Sequence, residues 1–271
     1  MKKHIIVAAS LMIAAVVFSL GSCAKTGASK DESLKKVMDK KVLVLGLDDA
    51  FPPMGFRDEN NEIVGYDIDL AREVTKRLGV ELVCQPIDWN AKEQELNTGK
   101  IDCIWNGLTM TAEREEAMTF TKPYLKNAQV LVVRADSPVA ALADLKGKSV
   151  GLQAGSSAAN ALEASADLKA SLKGVVEFKD NLTALMDLEA KGVDAVVMDL
   201  IVANDNIARS GKPYRVLAES LSPENYGVGF RKADLALAGK VQETLDAMAK
   251  DGTIAQISTK WFGSDISVVG K

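Results

Sequence analysis

Short apolar segments alternate with amphipathic ones along most of this chain, and this alternation constrains its fold more than any other feature. Residues 42–45 are continuously apolar, which is typical of a strand buried on both faces of a parallel sheet. Further along, Ala71, Val74 and Leu78 keep the spacing of one helix face, and Gly79 ends that helix. Strands that alternate with helices in this way predict βαβ units and a doubly wound α/β lobe.

The alternation restarts after residue 130 and predicts a second α/β lobe. Strands are expected at 149–153, 175–178 and 195–198, and helices at 158–164, 181–191 and 200–209. The tail is too short to form a domain and is expected to return to the first lobe. We therefore expect two doubly wound α/β lobes, one formed by residues 41–129 with 227–271 and the other by residues 130–226. The two strand-like crossings between them would form a hinge.

The amino terminus carries the only long apolar run of the sequence, Ile5–Leu20, and two lysines precede it. This run is short for a membrane-spanning helix, so residues 1–22 are predicted to be a signal peptide. The segment Leu20–Cys23 resembles a bacterial lipobox, in which cleavage before the cysteine exposes a thiol for lipid attachment. We expect a lipid anchor at Cys23, a tether and lead-in helix over 23–40, and a location outside the cytoplasm. A plain secretory peptide with an incidental cysteine is the alternative.

Composition excludes several functional classes. The only histidine, His4, leaves with the signal peptide, which removes Ser-His-Asp and Cys-His catalysis and histidine-based metal sites. Loss of Lys2 and Lys3 leaves 31 of the 33 basic residues against 37 acidic ones, a net charge of −6. Such acidity disfavours nucleic acid and anionic lipid surfaces as partners. We expect no cofactor and no metal.

Besides Cys23, the mature chain contains two cysteines, and they are expected to stay free. Cys84 and Cys103 fall in predicted strands that flank a third strand, so they would lie about 9–10 Å apart. A disulfide needs Cα atoms within about 7 Å of each other. Both side chains are therefore expected to be small buried hydrophobes.

Polar side chains are concentrated in the loops that follow the predicted strands. Open α/β sheets place their ligands at the carboxyl ends of strands, so these loops are the candidate site. Arg114 can bind a carboxylate through two parallel hydrogen bonds, supported by the Thr109 hydroxyl. The backbone amides of Ser156 and Ser157, at a predicted helix start, favour the same anion. Asp199 can accept hydrogen bonds from an α-ammonium group.

Three further residues complete the expected site. Gly107 allows its backbone to approach a ligand closely. Phe51 and Trp89 can enclose a side chain between their rings. Groups for a carboxylate, an ammonium and a side chain together predict a free α-amino acid as the ligand.

At these residues the chain resembles the family 3 bacterial extracellular solute-binding proteins, which are the receptors of polar amino acid ABC importers. The resemblance covers nearly all of residues 41–262 and includes the motifs Gly65–Leu70, Thr109–Arg114, Phe120–Tyr124 and Lys260–Gly263. It implies a type II periplasmic-binding fold, an ABC importer permease as the partner, and a monomer that performs no catalysis.

Carried over by position, the resemblance implies a role for each candidate residue. It gives the carboxylate-binding role to Arg114, the ammonium-binding role to Asp199 and the side-chain-reading role to Asp48. The remaining ligand contacts fall on Phe51 and Trp89 as aromatic walls and on Gly107, Thr109, Ser156 and Ser157 as backbone or hydroxyl contacts. The chain differs from many relatives at Asn106 and from some at Gln153.

The identity of the ligand's side chain stays open between two classes. Asp48, with Glu93 and possibly Asp49, would make the distal pocket acidic, which favours arginine or lysine. Asn106 and Gln153 instead offer amide hydrogen bonds that suit glutamine or another uncharged polar side chain. The acidic residues favour a basic amino acid slightly.

Two other functions use the same kind of scaffold. The first is a periplasmic dehydratase of the arogenate or prephenate type, for which Glu93 is the candidate general acid. The second is an amino-acid sensor module of a signalling protein. No effector segment follows the second lobe in this sequence, so the sensor is the less favoured of the two.

Overall fold

The computed structural model describes residues 31–271. The predicted signal peptide, the predicted lipid anchor at Cys23 and the first part of the tether lie outside these described residues. Between residues 31 and 271, no helix is both long enough and apolar enough to cross a membrane.

Strands and helices are numbered in chain order. The strands are β1 (Val42–Leu47), β2 (Ala50–Phe51), β3 (Gly55–Arg57), β4 (Ile63–Val64), β5 (Glu81–Pro86), β6 (Cys103–Ile104), β7 (Met118–Phe120), β8 (Leu125–Arg134), β9 (Ser149–Gln153), β10 (Gly174–Phe178), β11 (Ala195–Asp199), β12 (Tyr214–Tyr226) and β13 (Gly229–Arg231). The helices are α1 (Ser33–Lys40), α2 (Tyr66–Leu78), α3 (Lys92–Asn97), α4 (Ala112–Ala117), α5 (Ser157–Ala164), α6 (Ala166–Ser171), α7 (Asn181–Glu189), α8 (Leu200–Ser210), α9 (Leu235–Lys250) and α10 (Thr253–Phe262).

The first sheet has the strand order β5-β1-β6-β13-β7. Strand β1 pairs in parallel with β5 and β6, so Leu45 lies between Cys84 on one side and Cys103 on the other. Both thiols are free, as the intervening strand predicts, although Cys84 is half-buried rather than buried. Strand β13, from the tail of the chain, pairs antiparallel with β6 and β7 and completes the sheet.

The second sheet has the strand order β10-β9-β11-β8-β12. Strand β9 pairs in parallel with β10 and β11, and helices α5 to α7 lie between these strands in the chain. Strand β11 pairs antiparallel with β8. Each sheet thus combines a parallel βαβ core with antiparallel strands at one edge, and the predicted class of two α/β lobes is confirmed.

Strands β8 and β12 connect the two sheets. They pair antiparallel, with Leu125 opposite Tyr226 at one end, Arg134 opposite Tyr214 at the other, and register shifts between Val216 and Ser222. In the chain, β8 follows β7 of the first sheet and β12 precedes β13 of the same sheet. The two crossings therefore run side by side as a paired ribbon, and this ribbon is the predicted two-segment hinge.

Apolar helix faces cover the first sheet. Leu237, Val241 and Leu245 of α9 are fully buried in the same cluster as Leu45 of β1. Full burial of one such leucine contributes roughly 1.5–3 kcal/mol. The tail helix therefore stabilises the sheet to which β13 also belongs.

The segment after β1, which the sequence suggests is a loop, folds into a small antiparallel sheet of β2, β3 and β4. Phe51 pairs with Gly55, and Phe56 pairs with both Ala50 and Val64. Strands of two or three residues are too short to show an alternating apolar pattern, which is why this sheet was not predicted. It fixes the position of Phe51 beside the carboxyl end of β1.

Candidate functional site

Loops at the carboxyl ends of the two sheets meet at one cleft. Gln153 Nε2, at the end of β9, donates to Asp48 Oδ2, which follows β1, at 2.7 Å. Ser157 Oγ, at the start of α5, donates to Thr109 Oγ1 at 3.1 Å. The loops that the sequence singled out in the two lobes are therefore in direct contact.

Arg114 lies at the centre of this contact. Its helix, α4, begins after Thr111, whose hydroxyl oxygen accepts a hydrogen bond from the Arg114 amide at 3.2 Å. The Arg114 side chain is buried, and its Nη1 and Nη2 donate to the carbonyl oxygens of Thr109 at 3.1 Å and Gly155 at 3.0 Å. Burial lowers the pKa of Arg114, but a guanidinium stays charged at neutral pH. A buried cation thus bridges the two sides of the cleft.

Lys92 is a second buried cation, which was not among the residues predicted from the sequence. Its Nζ donates to the Gly155 carbonyl at 2.8 Å and lies 5.2 Å from the centre of the Trp89 ring. Burial, together with the neighbouring charge of Arg114, lowers the pKa of Lys92 to about 8. Glu93 Oε1 lies 3.1 Å from Lys92 Nζ and 3.9 Å from Arg114 Nε. Glu93 therefore pairs with these cations, and a cavity of about 280 Å³ adjoins the group.

Asp199 ends β11 and lies at the start of α8, but its side chain does not cap that helix. Its Oδ1 instead accepts hydrogen bonds from Asn127 Nδ2 and from the Tyr226 hydroxyl, both at 2.6 Å. Burial raises the pKa of Asp199 to about 7, and the nearby Glu224 carboxylate adds to the increase. The carboxyl group is thus held by neutral donors and can be neutralised near pH 7.

Asp48, Asn106 and Gln153 form one hydrogen-bonded group. The Asp48 amide donates to Asn106 Oδ1 at 3.1 Å, and Asp48 Oδ1 accepts from the Ala50 amide at 2.9 Å. Gln153 Nε2 donates to the Lys179 carbonyl at 3.2 Å in addition to Asp48. Burial raises the pKa of Asp48. The residues expected to read the ligand's side chain are therefore in mutual contact.

Gly107 adopts a backbone conformation that a larger residue would strain. Its φ is +58°, and a Cβ there would lie 2.8 Å from Phe51 Cε1 and 3.2 Å from Tyr226 Cε2. The Gly107 amide donates to Asp67 Oδ2 at 2.7 Å, and the same oxygen accepts from the Tyr124 hydroxyl at 2.8 Å. Burial raises the pKa of Asp67 to about 7. Asp67, which was not among the candidate residues, thus holds the Gly107 loop in place.

The two aromatic candidates lie in separate apolar clusters. Phe51 is buried in the same cluster as Trp105, whereas Trp89 packs with Leu96 and Ile101. Both rings are almost fully buried. Their enclosure of a ligand side chain stays a prediction.

The two serines at the start of α5 have different surroundings. The Ser156 hydroxyl and amide both donate to the Gln153 carbonyl, at 2.7 and 3.2 Å, and so stabilise their own turn. Ser157 Oγ accepts from Gln129 Nε2 at 3.2 Å while it donates to Thr109. Of the two hydroxyls, that of Ser157 is the one engaged across the cleft.

Three polar hinge residues near the cleft were not among the residues predicted from the sequence. Asn127 and Gln129 lie two residues apart in β8, and Glu224 of β12 lies opposite Asn127. Two amides with this spacing in a strand lie on one face, and here the exposed Lys126 lies on the other. That pattern was the available signal for the amides, whereas no local pattern marks Glu224.

Two α/β lobes on a paired-strand hinge, with charged side chains from both lobes buried at the cleft between them, define a two-lobed solute receptor. Residues 43–264 match the bacterial extracellular solute-binding proteins of family 3, and the chain belongs to this family.

Individual relatives agree with this assignment. The chain is 30% identical to the L-cystine-binding protein TcyJ of Escherichia coli strain K12, over 94% of this chain and 95% of the relative. It is also 30% identical to the L-arginine-binding protein of Pseudomonas aeruginosa, over 86% and 93% of the two chains. An ABC uptake transporter substrate-binding protein from Streptococcus pneumoniae, solved with bound histidine, matches with a TM-score of 0.86 and 38% identity, over 89% of this chain and 99% of that one.

Proposed function

We propose that this protein is an extracytoplasmic, lipid-anchored receptor that binds one free polar L-amino acid between its lobes and delivers it to the permease of an ABC importer. One observation carries the proposal. The guanidinium of Arg114 and the carboxyl group of Asp199 are both buried at the cleft, where they suit the two ends of a zwitterion. The names of the relatives, which bind cystine, arginine and histidine, support the same ligand class.

Arg114 would bind the α-carboxylate and Asp199 the α-ammonium group. The two Nη groups of Arg114 already donate to separate oxygens, as they would to the two oxygens of a carboxylate. Arg114 lies on α4, which follows β6 of the first sheet, and Asp199 ends β11 of the second. A ligand that contacts both therefore favours the closed arrangement through its higher affinity for that state. The permease would then recognise the closed surface.

Anchoring and the absence of catalysis belong to the same proposal. The Leu20–Cys23 segment supports lipid attachment at Cys23, and the receptor would act as a monomer. Glu93, the candidate acid of a dehydratase, pairs with Lys92 and Arg114.

A basic side chain is the favoured choice for the ligand. Asp48 accepts hydrogen bonds only from neutral donors of the backbone and of Gln153 within residues 31–271, so its carboxylate retains capacity for a cationic group. The amides of Asn106 and Gln153 keep glutamine as the second candidate. The proposal therefore ranks arginine and lysine before glutamine.

A thermal-shift screen against the twenty L-amino acids tests the proposed function. A ligand at a thousandfold excess over its Kd adds about 4 kcal/mol to the free energy of unfolding. We therefore expect L-arginine or L-lysine at 1 mM, or else L-glutamine, to raise Tm by several degrees, and the D-enantiomers to raise it much less. A screen in which no amino acid changes Tm would contradict the proposal.

Substitution of Asp48 by asparagine separates the two ligand classes. Hydrogen bonds to charged groups contribute about 1.5–3 kcal/mol, so Asp48→Asn should weaken L-arginine binding about tenfold to a hundredfold and leave L-glutamine binding nearly unchanged. Isothermal titration calorimetry measures both. Asp49→Asn is the matched control, because the neighbouring Asp49 pairs with Arg57 instead of Gln153. Equal losses for both ligands would show that Asp48 does not read the side chain.

A further inference from the structure

Glu224 is a carboxylate of the hinge that three side chains hold in place. It lies in β12, opposite Asn127 of β8. Its Oε2 accepts hydrogen bonds from Thr109 Oγ1 at 2.9 Å and from Asn127 Nδ2 and Gln129 Nε2, both at 3.0 Å. Because the three donors come from a loop of the first sheet and from the hinge, the position of Glu224 depends on both.

The carboxyl groups of Glu224 and Asp199 share one donor. Asn127 Nδ2 donates to Asp199 Oδ1 at 2.6 Å as well as to Glu224 Oε2. Among residues 31–271, no lysine or arginine forms an ion pair with either carboxyl group, and the nearby cations Lys92 and Arg114 pair with Glu93. Two acidic groups thus lie side by side and accept hydrogen bonds from neutral donors only.

The same group of residues contains buried acceptors that lack donors. Within the described part of the chain, Asn127 Oδ1 and Gln129 Oε1 are buried and form no hydrogen bond. Buried polar atoms without partners are costly and uncommon. Together with the two carboxyl groups, these oxygens form a set of hydrogen-bond acceptors. The surrounding residues supply fewer hydrogen-bond donors than this set could accept.

A chain of hydrogen bonds connects this set to both sides of the cleft. Gln129 Nε2 donates to Ser157 Oγ at 3.2 Å, Ser157 Oγ donates to Thr109 Oγ1, and Thr109 Oγ1 donates to Glu224. Ser157 belongs to the second lobe and Thr109 to the first. A group bound at Glu224 would therefore contact residues whose positions change when the lobes close.

We propose that Glu224 is a second ligand-binding carboxylate, which receives the primary ammonium group of the ligand together with Asp199. This inference rests on the proposed function. A primary ammonium has three N–H donors, and the two carboxyl groups with one amide oxygen supply three acceptors. Glu224 thus selects ligands that carry a primary amine and links their binding to the hinge.

The Glu224→Gln substitution, which keeps the size of the side chain, tests this inference. The probes are L-arginine, L-glutamine and their two deamino analogues. In each analogue, hydrogen replaces the α-amino group. We expect Glu224→Gln to weaken binding of the amino acid about tenfold or more and to change binding of the deamino analogue less than twofold. Without ligand, Tm should stay the same or rise, because the substitution removes one of two adjacent carboxyl groups that form no ion pair within residues 31–271. Glu219→Gln, on the same strand but exposed, is the matched control.

Different results identify different errors. If wild type binds an amino acid and Glu224→Gln binds it with the same affinity, the inference is overturned and the proposed function stays intact. Equal losses for the amino acid and its deamino analogue, with a lower Tm of the unliganded variant, would assign Glu224 a purely structural role and also overturn it. Wild-type protein that binds neither probe would overturn the proposed site and this inference together.

Discussion

Replacement of Arg114 by alanine is expected to weaken binding of every amino acid strongly, whatever its side chain. Removal of one partner from a buried, hydrogen-bonded charge pair costs about 2–5 kcal/mol, which corresponds to roughly a thirtyfold to several-thousandfold loss of affinity. The loss should be uniform because all amino acids share the α-carboxylate. Calorimetric titration of Arg114→Ala with L-arginine and L-glutamine, compared with wild type, measures it.

Two controls separate loss of the site from loss of the fold. Arg114→Lys keeps the positive charge but not the two-pronged geometry, so it should recover only part of the affinity. Arg72→Ala removes an exposed arginine that bonds to the Ile63 carbonyl and should bind normally. The Gly155 carbonyl keeps Lys92 as a donor when Arg114 is removed, so the unliganded fold should persist. Normal binding by a folded Arg114→Ala protein would remove Arg114 from the site.

The parallel cores of both sheets were predictable because their pattern is local. Strand β1 is continuously apolar and α2 is amphipathic, so a few consecutive residues are enough to predict each element. The small sheet of β2, β3 and β4 was not predictable, since its strands are two or three residues long. The pairing of β8 with β12 joins residues about ninety positions apart, and only the tertiary structure specifies its register.

The candidate site shows the same division. Asp48, Arg114 and Asp199 follow predicted strands, so the rule that ligands bind at the carboxyl ends of strands places them at the cleft. The rule does not identify Lys92, which lies on a short helix, or Glu224, which lies within a hinge strand. Their importance arises from burial and from partners distant in sequence, which a linear pattern does not contain.

The Asp199→Asn substitution should weaken amino-acid binding by a similar 2–5 kcal/mol at pH 7.5, and its effect should shrink as the pH falls. Burial raises the pKa of Asp199 to about 7, so the carboxyl group is increasingly protonated below that pH. Only the ionised form attracts an ammonium group, and binding therefore releases a proton. Wild-type Kd should rise by up to about tenfold for each pH unit below 7, whereas the neutral asparagine variant should show a nearly flat profile.

Titrations with L-arginine between pH 5.5 and 7.5 provide the comparison. In this range the neighbouring Tyr226 stays neutral, because burial raises the pKa of its hydroxyl well above the usual value. Lys92, with a pKa of about 8, remains largely charged. Asp205→Asn is the matched control, since Asp205 lies on α8 and pairs with Arg209. Wild type and Asp199→Asn could instead lose affinity in parallel as the pH falls. The titrating group would then be a different residue, and Asp199 would not be the acid that binds the ammonium group.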